Sequence, residues 1–564
     1  MHLNVHATPE HTYDAIVIGS GMSGGWAAKE LTEKGLKTLV LERGRMVEHV
    51  TDYPTANLDA WQMPHRGRPM LAARQAAPIQ SKVYNFHEGS QHFFVRDVDH
   101  PYQQTKPFDW IRGYHVGGRS ILWGKQTYRW SDLDFEANAR DGYGVDWPVR
   151  YADIAPWYSY VEKFAGISGS KENLAVLPDS EFLPPMEMNV LEKHVAKRIQ
   201  EHYKGDRRMI IGRVAHLTVP HNGRGACQYR NRCERGCPYG AYFSSNSSTL
   251  PAAQATGRLT IRPFSVVHSI IYDEKTQRAT GVKIIDAETM QTYDYYAKVI
   301  FCNASTLGTA AILMNSTSAR FPNGLGNDSG QLGHNLMDHH YGVGAYGNSD
   351  DFADKYTYGN RPNGIYVPRF RNVQAGENRG YLRGFGYQGG AQRGRSGADD
   401  GIGAALKANL TEPGNWSFWL GSWGEHLPYF ENKATLNHGK KDQWGLPTLD
   451  IDCEFKENER LMRKDMAKDA AEMLEASGLK NIGTFDESPA PGFCIHEMGT
   501  ARMGRDPKTS LLNAYNQLHA CKNVFVSDGA CMASNGVVNP SLTYMALTAR
   551  AADYAVAELK RGNL

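Results

Sequence analysis

Residues 13–42 constrain the fold more than any other stretch. The apolar run YDAIVI enters Gly19-Ser20-Gly21-Met22-Ser23-Gly24 and leaves as a helical segment that reaches Lys34. A short buried strand that turns through G-x-G-x-x-G into a helix is the first unit of a parallel, dinucleotide-binding sheet. Gly19 permits the tight turn, Gly21 lets the backbone approach a pyrophosphate, and Gly24 lets helix and strand pack closely. Ala28 keeps the next helical turn small. Gly35 ends the helix, LKTLVL supplies the second strand, and Glu42 stands at its end, placed to accept hydrogen bonds from a ribose. A carboxylate there repels a 2′-phosphate, which argues against NADP. Ser23 and Arg43 flank these positions and join the expected dinucleotide contacts. The turn alone serves NAD as readily as FAD.

At 564 residues the chain is long enough for two domains, its formal charge is only +2, and no basic run points to nucleic acid. Its apolar stretches fall short of the roughly eighteen residues that a membrane span needs. The leader MHLNVHATPEHTYDAIVIG has no apolar core before the first strand, so no export signal is expected on this chain.

Near the other end, His496 stands in HEMGTARMG, ahead of SDGACMASNGVVNPSLT, which contains Asn539. A neutral histidine can accept a hydroxyl proton near pH 7, and an asparagine can hold the same substrate oxygen. Asn539-Pro540-Ser541 also reads as an N-cap followed by proline at the first helical position, with a helix through LTYMALTARAADYAVAEL.

Together the two ends resemble the glucose-methanol-choline (GMC) family of flavoprotein oxidoreductases, and the likeness runs through the middle. Val116-Gly117-Gly118-Arg119-Ser120-Ile121-Leu122-Trp123-Gly124 looks like the family's second flavin loop, followed by Asp146-Trp147-Pro148 and Pro156-Trp157-Tyr158. Leu332-Gly333-His334-Asn335-Leu336-Met337-Asp338-His339 and Trp444-Gly445-Leu446-Pro447 continue the pattern. The resemblance implies an α/β fold of p-hydroxybenzoate hydroxylase-like architecture. A Rossmann-like FAD-binding domain would be built from discontinuous residues 12–150, 222–340 and 490–564. An α+β substrate domain with an antiparallel sheet would take 151–221 and 341–489. It implies flavin contacts at Gly117, Gly118, Ser120, Trp123, Gly124, Val267, Asp528, Gly529, Pro540, Ser541 and Leu542. His496 would take the hydroxyl proton while hydride leaves for flavin N5, and Asn539 would fix the oxygen. The helix after Pro540 would aim its positive end at the flavin pyrimidine. Pyranose oxidases, which share the loop, carry a flavin-bonded histidine just before the tryptophan. Leu122 stands there instead, so FAD is expected to be non-covalent.

Three of the eight cysteines, Cys227, Cys233 and Cys237, cluster in CQYRNRCERGCP within residues 225–240, while the others are scattered. That spacing is no disulfide framework and leaves three readings open: an iron–sulfur cluster, supported by the Cys-Pro ending; zinc, with His221 as the nearest fourth ligand; or metal-free thiols. The run is similar to that of bacterial FAD glucose and fructose dehydrogenase catalytic subunits, which implies a [3Fe-4S] cluster. Those runs begin with adjacent cysteines and have a shorter first spacing. A cluster beside a flavin passes electrons singly, so a dehydrogenase delivering to cytochrome c or a similar acceptor is expected rather than an oxidase.

Residues 414–425 (GNWSFWLGSWGE) read as a strand with Trp419 and Trp423 on one face and Trp416 and Phe418 on the other, and aromatic faces are platforms for sugar rings. The polar, Gly- and Arg-rich residues 360–400 look like a loop over a site or a partner-binding arm. Among relatives of this kind the chain looks most like large subunits of glucoside 3-dehydrogenases. These oxidise the C3 hydroxyl of glucosides and work with a small subunit whose export signal would take the pair to the periplasm; a cytoplasmic location is the alternative. Rival readings are a gluconate, fructose or sorbitol dehydrogenase large subunit, a pyranose-oxidase-like oxidase, an NAD enzyme, and a relay module with no substrate of its own.

Overall fold

The structure, a computed structural model, describes residues 11–564 except 357–360, 375, 378 and 396–400. Most of the polar leader and parts of the 360–400 loop therefore lie outside the described residues.

Strand β1 (Thr12–Ile18), helix α1 (Met22–Glu33) and strand β2 (Thr38–Leu41) form as the sequence pattern requires. They join β3 (Leu259–Arg262), β4 (Ser265–Asp273), β5 (Arg278–Asp286), β6 (Thr292–Cys302) and Val524–Phe525 in a seven-stranded sheet of order β3-β2-β1-β6-β5-β4, with Val524–Phe525 also on β6. Pairings among β3, β2, β1, β6 and Val524–Phe525 are parallel, and the β6-β5-β4 meander is antiparallel. The central strands are apolar throughout because both faces are covered. On one face Val17, Val40, Val299 and Phe301 pack with Ala27, Ala28 and Leu31 of α1 and with Ala551, Ala552 and Ala555 of the C-terminal helix. Strands nearly 300 residues apart thus share one layer, as in the β1–β6 pairing of Ile18 with Cys302.

A second, six-stranded sheet is entirely antiparallel. It contains β7 (Val343–Ser349), β8 (Ile365–Val367), β9 (Phe385–Arg395), β10 (Pro413–Gly424) and β11 (Lys480–Asp486) in the order β11-β7-β10-β9-β8, with Ile210–Ile211 at the β8 edge. One face packs on Leu191, Val195 and Ile199 of the helix Val190–His202 and on Met462, Met466, Ala470 and Met473 of the helix Glu457–Ala476. Along β10 the alternation is as read from sequence: Trp416, Phe418 and Leu420 are buried in this core, while Trp419, Gly421 and Trp423 line a cavity on the other side. The fold is the expected α/β one, a Rossmann-like layer from distant segments beside an antiparallel sheet. Of residues 151–221, Val190–His202 and Ile210–Ile211 join the second sheet. The helix Tyr151–Ala165 lies instead against the C-terminal helix Ser541–Lys560, where Tyr158 and Thr543 share a 2.7 Å hydroxyl hydrogen bond.

Candidate active site

A single cavity of about 830 Å³ runs from the first βα turn to the second sheet. At its first end Gly19 takes φ +91°, and a Cβ there would run into the Asn303 carbonyl oxygen; a Cβ on Gly24 would strike the Gly19 oxygen. A Cβ on Gly21 would meet nothing within 4 Å, and this residue lines the cavity. Gly21 is also the N-cap of α1 and no side chain caps it, so the first N–H groups of the helix are left for a ligand. Glu42 lines the cavity and accepts from the Ser20 N–H (3.2 Å), the Ser20 hydroxyl (2.5 Å) and the Gly44 N–H (3.1 Å); burial pushes its pKa up. Arg43 donates to Asp442 at 3.1 Å and lies 4.8 Å from the Tyr114 ring and 4.6 Å from the Trp444 ring. Among the described residues its buried Nε has no partner. An open turn with free amides, a carboxylate and a flat cationic wall fit a dinucleotide.

The second loop closes on the first: the Gly117 N–H donates to the Ser20 hydroxyl at 2.9 Å, and Ser120 donates to the Gly117 carbonyl at 2.6 Å while accepting from the Ser245 N–H at 3.0 Å. Gly118, Ser120, Leu122, Trp123 and Gly124 line the cavity, as do Ser23, Val267, Gly529 and Ser541. Asp528 also lines it; it accepts from Thr309 at 2.6 Å and from the Ala530 N–H at 3.0 Å, and burial raises its pKa to about 6. Gly24, Gly117, Pro540 and Leu542 stand behind the wall rather than in it: Gly117 is packed against Asn246, and Leu542 is fully buried in the core.

His496 and Asn539 meet at the far end, with Asn539 Nδ2 3.4 Å from His496 Nε2. The expected capping role of Asn539 is corrected. The helix N-cap is Pro540, in a near-helical conformation, and the asparagine amide is committed elsewhere, its Oδ1 accepting from Gln388 Nε2 at 2.9 Å. His496 is held from below. Asp338 Oδ1 accepts the His496 N–H at 2.9 Å, and its Oδ2 accepts the N–H groups of Gly492 (2.7 Å) and Cys494 (3.1 Å). These three bonds hold Ile495 at φ +68°, a left-handed conformation that a β-branched residue avoids. Burial, with the Glu497 carboxylate nearby, lifts Asp338 to about pH 7. His496 is pushed well below the ordinary histidine range by burial first, then by His339 and Arg119. Arg119 clasps Glu497 through two bonds of 3.0 and 2.8 Å. The opposite wall is aromatic: Tyr341 stacks between Trp423 and Phe493, each 5.7 Å away. Gln388, His339, Asp338 and Tyr341 were given no role from sequence: Asp338 and His339 meet His496, and Gln388 meets Asn539, only through the fold.

The cysteine run abuts the same wall. Lys125, a cavity residue, donates to the Cys233 carbonyl at 3.2 Å and sits 4.3 Å from the Tyr242 ring. Cys227, Cys233 and Cys237 line one small separate pocket with His216, whose Nε2 is 3.6 Å from Cys233 Sγ. His221, named from sequence as the fourth zinc ligand, instead bonds the Lys163 carbonyl at 2.7 Å and is no part of that pocket. Among the described residues no group of three or more His, Cys, Asp or Glu side chains is arranged to hold a metal ion, so the three thiols as placed do not fit a cluster.

Comparison with known proteins agrees with this geometry. The chain is 28% identical to 2-methyl-1,2-propanediol dehydrogenase of Mycolicibacterium austroafricanum, over 96% of this chain and 94% of that one. It is 25% identical to the fructose dehydrogenase large subunit of Gluconobacter japonicus, over 97% and 98%. A solved formate oxidase of Aspergillus oryzae RIB40 superposes with a TM-score of 0.62 at 14% identity, covering 98% of this chain and all (100%) of that one. The GMC oxidoreductase profiles match residues 13–341 and 428–548. With those two matches covering both the dinucleotide turn and the His496–Asn539 end, the chain belongs to the GMC oxidoreductase family.

Proposed function

We propose that this protein is an FAD-dependent dehydrogenase that oxidises a secondary hydroxyl of a sugar or glycoside to a ketone, with C3 of a glucoside as the favoured position. The observation that carries this reading is the convergence, in one cavity, of a dinucleotide turn, a neutral histidine beside an asparagine, and a wall of stacked aromatic rings. FAD, when bound, supplies the hydride acceptor. The protein supplies the rest. Gly19, Gly21, Ser23 and the open N-terminus of α1 hold the pyrophosphate, Glu42 the ribose, and the 118–124 loop with Asp528, Gly529 and Ser541 the isoalloxazine. Gly24 and Gly117 set the turns behind these contacts. His496 Nε2 takes the hydroxyl proton, and Asn539 Nδ2 donates to the same oxygen and holds the carbinol hydrogen in line. Trp419 and Trp423 receive the ring face, with Tyr341 backing Trp423. With Leu122 before Trp123, FAD is held without a covalent bond.

The acceptor we assign is an external one-electron carrier such as cytochrome c, not oxygen. The similarity to a fructose dehydrogenase large subunit supports a small-subunit partner, and we assign the pair to the periplasm by co-export. It also keeps fructose or a related polyol as the second reading. Anaerobic titration of the flavin absorbance with glucosides, fructose, gluconate and sorbitol tests both, with the product carbonyl placed by NMR. Bleaching by glucosides and a C3 ketone is expected; bleaching by fructose or gluconate alone selects the second reading, and no bleaching by any of them ends both.

A further inference from the structure

The two histidines beside the substrate end face each other through the same atom: His496 Nδ1 and His339 Nδ1 are 3.1 Å apart, with the rings nearly perpendicular at 84°. Of two facing imidazole nitrogens one must donate and the other accept. The choice is made on the far side of His339, whose Nε2 is 2.5 Å from the Gly536 carbonyl oxygen. A carbonyl only accepts, so His339 carries its proton on Nε2, and its neutral ring leaves Nδ1 with a lone pair. His496 must therefore donate from Nδ1, which leaves its Nε2 unprotonated and directed at Asn539 Nδ2. We propose that His339, anchored by Gly536, is a positioning residue that locks His496 in the one neutral tautomer able to take a substrate proton. This rests on His496 being the base.

The surroundings favour the lock. His339 is 1% exposed, and burial lowers its pKa to about 4, so it stays neutral across the working range. The other ionisable groups about His496 are Cys494, Asp338, Glu497 and Arg119. Cys494 Sγ lies 3.5 Å from His496 Nδ1, and burial keeps it a thiol, a weak donor that without His339 would pull His496 toward the opposite tautomer. Gly536 and Asn539 sit on one loop, so the segment that holds the substrate oxygen also sets the base.

The test is anaerobic stopped-flow reduction of the holoenzyme by its best sugar. His339→Leu should slow flavin reduction about 10- to 100-fold, the usual size of losing an orienting partner, with the substrate Kd little changed. His339→Asn, whose amide can accept from His496 and donate to Gly536, should recover most of the rate. A His339→Leu enzyme within twofold of the parent would overturn the proposal, as would an Asn variant no better than Leu. If the variants fail to fold, 15N-histidine spectra of the parent decide it, since an Nε2–H tautomer at His496 is incompatible with the lock. His496→Ala is run alongside: full activity there sinks the base assignment itself, whereas an inactive His496→Ala with an unaffected His339→Leu sinks only the lock.

Discussion

At the scale of single residues, the proposed chemistry depends on a histidine kept neutral. Removing a general base costs about 10²- to 10⁴-fold, so His496→Ala should lose that much in flavin reduction while keeping FAD, measured by stopped flow with the flavin spectrum as control. Because burial and its cationic neighbour hold His496 below the usual histidine value, the basic form persists to lower pH than in a free histidine. The rate of reduction should be level above about pH 6.5 and fall only on further acidification; a limb at or above that value would contradict the burial. Leu122 sets a second expectation: acid precipitation should leave all flavin in the supernatant. His496 and Asn539 were legible because their motifs are local. Gln388, His339 and Asp338 were not, since a lone glutamine in a strand or a histidine after an aspartate has no reading until another segment is packed against it.

At the scale of elements, the βα turn separates folding from binding. In the Gly24 position a methyl group meets backbone, and overpacking of that kind costs about 1–3 kcal/mol; in the Gly21 position it meets only open cavity. Gly24→Ala should therefore lower the Tm of the apoprotein, whereas Gly21→Ala should leave that Tm alone and weaken FAD binding; calorimetry and flavin titration distinguish them. The strand β10 was equally legible: period-two alternation put Trp416 and Phe418 in the core and Trp419 and Trp423 on the cavity. The start of the C-terminal helix was misread by one residue. Asn-Pro has the composition of a cap, but the asparagine amide finds better partners in Gln388 and His496 than in the helix's own N–H groups.

At the scale of the whole molecule, the fold sets the cysteine run against the cavity wall through Lys125 and Tyr242. Iron and acid-labile sulfide in anaerobically prepared protein would show that the thiols converge on a cluster, and their absence would leave a thiol pocket. By itself the sequence determined the dinucleotide turn, the family, the strand alternation and the motifs that carry His496 and Asn539, because each is written in neighbours along the chain and obeys steric rules of a few residues. The tertiary structure alone decided that Ile18 pairs with Cys302, that Pro540 and Leu542 stand behind the wall, that His216 and not His221 faces Cys233, and that His339 stands behind His496. Those are contacts between segments remote in sequence, and they come from burying two sheets around one cavity rather than from any local preference.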